Sequence, residues 1–327
     1  LTVGKATAHY FVSSNKPARL LLLLTLEKAM NTNIGYVHAA GEPVPASPGT
    51  NALQQSLMSN GFAVIRDVLT PEQVRDLRKI VTRFFRSNGQ YKYGGKFQLH
   101  ALYVLDDVAR YLTSDKILAR LREITQPIDT ILTGECDLMI NTTSSWHTDV
   151  LHHPGSRDGS LFAEENFRVY KIAFYLQDQD DSSPATLKVR PGSHMKASPD
   201  DIPEHKVAIR AGDAIIFDVR IAHAGQMPSV LDKTIRRFFE KFGPLIRVDA
   251  QKGFTSTRAF IRSISRKQPR IGVFMTFGPS EPRTYSYAEE GQHLHPSVRG
   301  TLSPDVMAQL AANKVGAPLI GSGPSLH

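Results

Sequence analysis

Residues 130–140 read TILTGECDLMI, and there the chain changes character. Ahead of them apolar residues recur at helical spacing; from here on they come in short runs rich in β-branched and aromatic side chains. RVYKIAFYLQD (168–178), ATLKVRPGSH (185–194), AIIFDV (214–219) and IGVFMTF (271–277) continue the pattern, separated by clusters of Gly, Pro, Asp and Ser. Short strands punctuated in this way belong to a sandwich or barrel. Helices first and strands after predict an α+β chain with a mainly β core of the jelly-roll or cupin-like type, flanked by helices.

Toward the N-terminus, GFAVIRDVLTPEQVRDLRKIVTRFF (61–85) opens as an apolar strand and then carries a helix start. Thr70 is placed to cap, Pro71 occupies the first helical position, and Gln73 completes a capping box. Val74, Leu77, Ile80, Val81 and Phe84 then recur on one face. Shorter helices are expected over 103–113 and 115–125, the second capped by Ser114, and a last one over 304–313 capped by Ser303. AAGEPVPASPGTN (39–51) has the Pro and Gly content of a connection. The reading is therefore an N-terminal segment and linker at 1–51 and one domain at 52–327.

The chain has 327 residues, 41% of them hydrophobic, and a single cysteine, Cys136. One thiol excludes an internal disulfide and a thiolate metal cluster, and a reducing cytoplasmic setting is expected. The most apolar run, ARLLLLLTLEKAM (18–30), is shorter than the roughly 20 residues a bilayer span requires. It is expected to be a buried helix or strand, with no membrane association. Net charge is +8, and the excess is local: residues 231–270 hold eleven Lys or Arg against three acids. A local excess predicts a patch for an anionic partner or substrate. The aromatics within it, Phe238, Phe239 and Phe242, have the spacing of core residues rather than of a base-stacking platform, so nucleic acid is not expected.

The residues with chemistry lie just past the opening stretch, in WHTDVLHH (146–153). His147 and Asp149 alternate on an extended chain and so reach the same side. A third ligand is expected from a strand distant in sequence, and His223, at the exit of GDAIIFDVRIAHAG (212–225), supplies it. Two imidazoles and one carboxylate leave coordination positions open, which suits non-haem Fe(II); hydrolytic zinc uses the same ligand types. His152 and His153, against the turn-rich PGSRDG, are expected at the surface or the pocket rim. Trp146 is expected to pack beside the metal.

The succession WHTD, YKIAFYLQDQDDSSPATLKVRPGSH, GDAIIFDVRIAHAG and PRIGVFMTFG, in that order across roughly 61–277, resembles the phytanoyl-CoA dioxygenase family of Fe(II)/2-oxoglutarate oxygenases. The resemblance implies a double-stranded β-helix, with Fe(II), 2-oxoglutarate and O2 as cofactor and cosubstrates. It also implies that His147, Asp149 and His223 are the iron ligands and that the reaction hydroxylates an unactivated C–H bond. Because Asp149 is present, halogenation is disfavoured. An arginine should hold the far carboxylate of 2-oxoglutarate. Arg236 and Arg237, 13 and 14 residues past His223, fit the family spacing, whereas Arg270 opens the matching terminal strand. A strand position outweighs a count through a connection that tolerates insertion, so Arg270 is preferred. Asn141 resembles a position that contacts 2-oxoglutarate; a strand-end turn residue is the plain alternative. His194, in RPGSH, resembles a supporting turn.

On this alignment 231–268 is an inserted, basic segment, read as a lid or binding element that draws an acidic small molecule to the site. Phe97, Leu99 and Tyr103 are candidate pocket residues. Two other classes compete with the oxygenase: a non-catalytic jelly-roll protein binding an anionic ligand, and a zinc hydrolase.

Overall fold

The computed structural model describes residues 51–151, 153–265, 268–294 and 301–316. Apart from Asn51, the N-terminal segment with its apolar run at 18–30 lies outside the described residues, as does His152. Among the described residues no helix is long and apolar enough to cross a membrane.

The chain enters through α1 (Ala52–Asn60), capped by a reciprocal pair of hydrogen bonds between Asn51 and Gln54. It turns at Gly61, whose φ of 78° is left-handed, and any Cβ there would fall 2.5 Å from Nδ1 of His194. β1 (Phe62–Ile65) leads to α2 (Pro71–Ser87), where Thr70 and Gln73 form the expected capping box. The buried stripe of α2 is Val74, Leu77, Val81 and Phe85; Phe84, expected on that face, instead lies edge-on to Phe85.

β2 (Gln90–Lys92) and β3 (Gly95–Gln98) form a hairpin. The single helix expected over 103–113 is two, α3 (Ala101–Val104) and α4 (Asp106–Leu112), broken at Leu105. α5 (Asp115–Thr125) follows; Ser114 stands at its N-cap position without a side-chain capping bond. The strands then come as β4 (Thr130–Ile140), β5 (Tyr170–Tyr175), β6 (Leu187–Val189), β7 (His205–Val207), β8 (Ala214–Asp218) and β9 (His223–Ala224). Two helices, α6 (Val230–Phe242) and α7 (Ala250–Ile264), precede β10 (Ile271–Pro279). α8 (Pro282–Leu294), α9 (Pro304–Ala312) and β11 (Val315–Gly316) complete the order, with Ser303 capping α9.

The major sheet runs β1-β8-β5-β10-β4-β3-β2, antiparallel throughout, with β11 pairing parallel to β4; a smaller sheet runs β7-β6-β9. The two share a core: Phe62, Val64, Ala173, Tyr175, Ile215 and Phe217 from the large sheet meet Leu187, Val189 and Val207 from the small one. Burying each of the Val, Leu, Ile and Phe side chains among them contributes about 1.5–3 kcal/mol. α5 and α8 pack against β4 and β10. The chain is thus a mixture of helices and antiparallel sheet in which β4, β10 and β5 lie side by side and β9 belongs to the facing sheet.

The corner after β8 is held by an unusual knot. Arg220 is 1% exposed. Its Nε and Nη2 bond to Asp218 at 3.0 and 2.9 Å, and its Nη1 donates to the carbonyls of Leu161 and Glu164 at 3.1 and 2.9 Å. The guanidinium lies 4.4 Å from the centre of the Phe167 ring. Buried charge is tolerated because both partners are present and saturated.

Candidate metal centre

Backbone pairing brings the two ends of the candidate site together. His147 and His223 form an antiparallel bridge, N–H to carbonyl in both directions at 3.0 and 2.9 Å, and the Asp149 N–H donates to the Val219 carbonyl at 2.9 Å. The strand-exit position of His223 is itself gripped by the RPGSH turn: Ser193 Oγ accepts from Ala222 N at 2.9 Å, and Arg190 N donates to Ala222 O at 3.0 Å. His194, in the same turn, packs on α1 through the Met58 carbonyl. It supports the scaffold rather than facing the histidine pair.

His147, Asp149 and His223 each offer a ligand atom, all within 4.8 Å of one another. Asp149 Oδ1 lies 3.6 Å from His147 Nε2 and 3.8 Å from His223 Nε2. Each imidazole uses its other nitrogen on a backbone carbonyl: His147 Nδ1 reaches Ser145 O at 2.8 Å, and His223 Nδ1 reaches Ile221 O at 3.0 Å. A carbonyl only accepts, so each Nδ1 carries the proton and each Nε2 presents its lone pair to the shared point. Burial, with His147 alongside, pulls the His223 pKa down to about 4. That keeps the ring neutral, the form in which it ligates metal.

The other oxygen of Asp149 faces Lys171, whose Nζ lies 3.0 Å away and a further 3.6 Å from Glu135. Burial pushes the Asp149 carboxyl up, but Lys171 and the two imidazoles outweigh it and hold the group well below the usual carboxylate range. Burial likewise opposes the Lys171 charge, and Asp149 and Glu135 raise its pKa well above the ordinary lysine value. Lys171 did not stand out in the sequence, although a lysine inside YKIAFY, a strand buried at every position, is the kind of charge that needs a buried partner.

These groups open onto a cavity of about 870 Å³. Arg270 lines it. Its Nη1 donates to the Thr142 carbonyl at 3.2 Å, its Nε is buried without a hydrogen-bond partner, and the guanidinium lies 5.5 Å from the Tyr175 ring centre. Burial lowers its pKa, with Tyr175 offsetting part of the effect. No carboxylate among the described residues pairs with it. Gly225 leaves it room, since a Cβ there would be 2.9 Å from Arg270 Nη2.

The other candidates separate clearly. Arg236 reaches the cavity and pairs with Glu240 at 2.8 Å; Arg237 is exposed and is not among the lining residues. Asn141 is not among them either. At φ 58° it closes β4, donating its N–H to Arg270 O at 2.8 Å and accepting the Arg270 N–H on Oδ1 at 2.9 Å. It therefore fixes the backbone that carries Arg270. Phe97, Leu99 and Trp146 line the cavity, Trp146 with Arg190 4.8 Å from its ring centre. Tyr103 does not; its hydroxyl is buried, and that burial, with Cys136 adding to it, raises the phenol pKa.

Two expectations are overturned outright. His153 is buried, bonded to Glu290 and stacked on Tyr287 at 4.2 Å, partners more than a hundred residues away that no local reading could supply. The described part of segment 231–268 is chiefly the helices α6 and α7. Their aromatic residues Phe238 and Phe242 are exposed rather than core, because helical spacing shows that a face exists, not which way it turns. Asp232, Lys233, Arg236, Gln251 and Phe254 from this pair line the cavity. The helices are tied down by Arg258, which bonds to Asp232 at 2.6 Å and to the carbonyls of Gly94 and Asn141 at 2.7 and 2.5 Å.

No known protein family matches the chain, and no curated protein sequence does. Solved structures do. One is the non-heme alpha ketoglutarate dependent epimerase SnoN from nogalamycin biosynthesis, 15% identical, with a TM-score of 0.50 over 83% of this chain and 95% of that one. Others are the alpha ketoglutarate dependent carbocyclase SnoK from nogalamycin biosynthesis (13% identity, TM-score 0.46, 80% and 96% covered) and HygX from Streptomyces hygroscopicus, crystallised with nickel and 2-oxoglutarate (14%, 0.46, 68% and 85%). The likeness to SnoN shows a shared fold and says nothing of substrate.

Proposed function

We propose that the protein is an Fe(II)- and 2-oxoglutarate-dependent oxygenase that hydroxylates an unactivated C–H bond of a small molecule, and that its two sheets are the halves of a double-stranded β-helix. The observation that carries this reading is the pairing of two incomplete sites in one cavity. Three ligand atoms lie within 4.8 Å with both Nε2 lone pairs free, and Arg270 stands beside them without an anion. The donor set fits iron: two neutral imidazoles and a carboxylate on one side leave room for further ligands. The unpaired guanidinium fits the distal carboxylate of 2-oxoglutarate, which it would take by charge-assisted hydrogen bonds.

In this reading His147, His223 and Asp149 Oδ1 hold the metal. The Ser145 and Ile221 carbonyls fix both ring orientations before it arrives, and Lys171 keeps Asp149 ionised. Tyr175 and Asn141 position Arg270. When bound, iron and 2-oxoglutarate supply the oxidation in which O2 gives one oxygen atom to succinate and one to the substrate C–H bond, with release of CO2. Lys233 and Arg236 at the α6 side of the cavity favour a substrate that carries an anionic group.

The test is 2-oxoglutarate turnover. Succinate release that requires Fe(II) and O2 together, and that falls to background in His147→Ala, supports the reading. A protein that binds neither iron nor 2-oxoglutarate, or one whose activity persists without O2, overturns it.

A further inference from the structure

The inner face of β4 carries a feature that metal and cosubstrate leave unexplained. Glu135, Asp137 and Met139 alternate toward the cavity, while Cys136 and Leu138 are fully buried behind them. Glu135 has company: it accepts from Thr276 Oγ1 at 2.5 Å and lies 3.6 Å from Lys171. Asp137 has none. It is 8% exposed, its Oδ1 is buried without a hydrogen-bond partner, and among the described residues no ion pair reaches it. Apart from Glu135, its strand neighbours on this face are apolar. Phe274 is its register partner on β10, and Phe97 is the partner of Met139 on β3. An unpartnered buried acid is destabilising, and a ligand that supplies the missing donor recovers that loss.

The charges on this wall indicate which donor fits. Lys171 sits 3.0 Å from Asp149 and 3.6 Å from Glu135, and Lys92 lies over the Tyr93 and Phe97 rings at 4.9 and 5.5 Å, so neither of the two nearby cations forms an ion pair with Asp137. A carboxylate or phosphate at this end would meet like charge. An ammonium would meet an acceptor with the aromatic residues Phe97 and Phe274 beside it on the neighbouring strands, and aromatic rings attract cations.

We infer that Asp137 is the specificity-determining residue of the pocket and that it receives a protonated amine of the substrate. Phe97 and Phe274 flank that amine, and any anionic group of the same molecule faces Lys233 and Arg236. This rests on the cavity being the substrate site of the oxygenase proposed above. Burial, with Glu135 adding to it, pushes the free Asp137 carboxyl up to about 8, in keeping with a group that lacks its counter-ion until ligand arrives.

The experiment uses benzylamine, benzyl alcohol and benzoate as probes of matched shape, titrated calorimetrically into the protein with and without Fe(II) and 2-oxoglutarate under argon. Benzylamine is expected to bind at least ten-fold more tightly than the other two, and Asp137→Asn to lose at least ten-fold for the amine. The variant should leave the 2-oxoglutarate affinity unchanged and melt at or above the wild-type temperature, because it removes an acid that has no partner. Benzyl alcohol binding as well as the amine, an amine affinity unaffected in Asp137→Asn, or no amine binding overturns the assignment, and a lowered melting temperature makes Asp137 structural. Failure of Fe(II) and 2-oxoglutarate to bind is read on the same samples and overturns the oxygenase reading instead; the amine titration into the metal-free protein still decides Asp137.

Discussion

Arg220, fully buried, and Arg270, half-buried with its Nε shut away from solvent, differ in how far the fold satisfies them. At the corner after β8, Arg220 meets both oxygens of Asp218, two carbonyls and the Phe167 ring. On the cavity wall, Arg270 donates to one carbonyl and keeps a buried Nε without an acceptor. Burial of a cation is costly in both places. In the first the fold supplies the whole compensation, and in the second it stops short. The shortfall, more than the burial, marks a position where a ligand completes the structure.

The difference can be broken by mutation. Arg220→Ala leaves Asp218 charged and unpaired and should lower the unfolding free energy by about 3–5 kcal/mol, read from urea denaturation. Arg270→Met should leave the stability of the ligand-free protein within roughly 1 kcal/mol, since no ion pair is lost; a cost equal to that of Arg220→Ala would make Arg270 structural. The same Arg270→Met variant should weaken 2-oxoglutarate binding by about 100-fold, roughly 3 kcal/mol, measured calorimetrically with Fe(II) present and O2 excluded. Gly225→Ala sharpens the contrast. Its Cβ would displace the end of the Arg270 side chain, so it should weaken 2-oxoglutarate by several-fold, on the order of 1 kcal/mol, with the melting temperature nearly unchanged. The smallest effect is expected on the outer face of α6. Phe238→Ser is predicted to stay within about 0.5 kcal/mol of wild type, whereas a core phenylalanine would cost several times that.

Much of this was legible in the chain because strand alternation is a local rule. His147 and Asp149 share a side whatever the rest of the fold does, and His223 stands at a strand exit that GDAIIF announces. The capping box at Thr70 is likewise local. What stayed hidden depends on contacts between distant segments. Lys171 looks like one polar residue in a strand until Asp149 is brought to it, and Asp137 looks like an ordinary alternation until its partners turn out to be absent. His153 was misplaced because Glu290 and Tyr287 come from the far end of the chain. That Arg270 lines the cavity and Arg237 does not depends on the register of β10 against β4, which no residue count provides.

The excursion from β9 to β10 leaves and returns beside one short segment. Ser144 N donates to Gln226 O at 3.0 Å where it departs, and Asn141 exchanges backbone and side-chain bonds with Arg270 where it comes back. Both ends are pinned to residues 141–144, so the loop-closure cost of lengthening, shortening or exchanging what lies between grows only slowly with length. The candidate metal centre and the helices that border the cavity are therefore separable inheritances. A lineage could replace α6 and α7 as a cassette, and with them the compounds admitted, while the three ligands and the arginine stay in place.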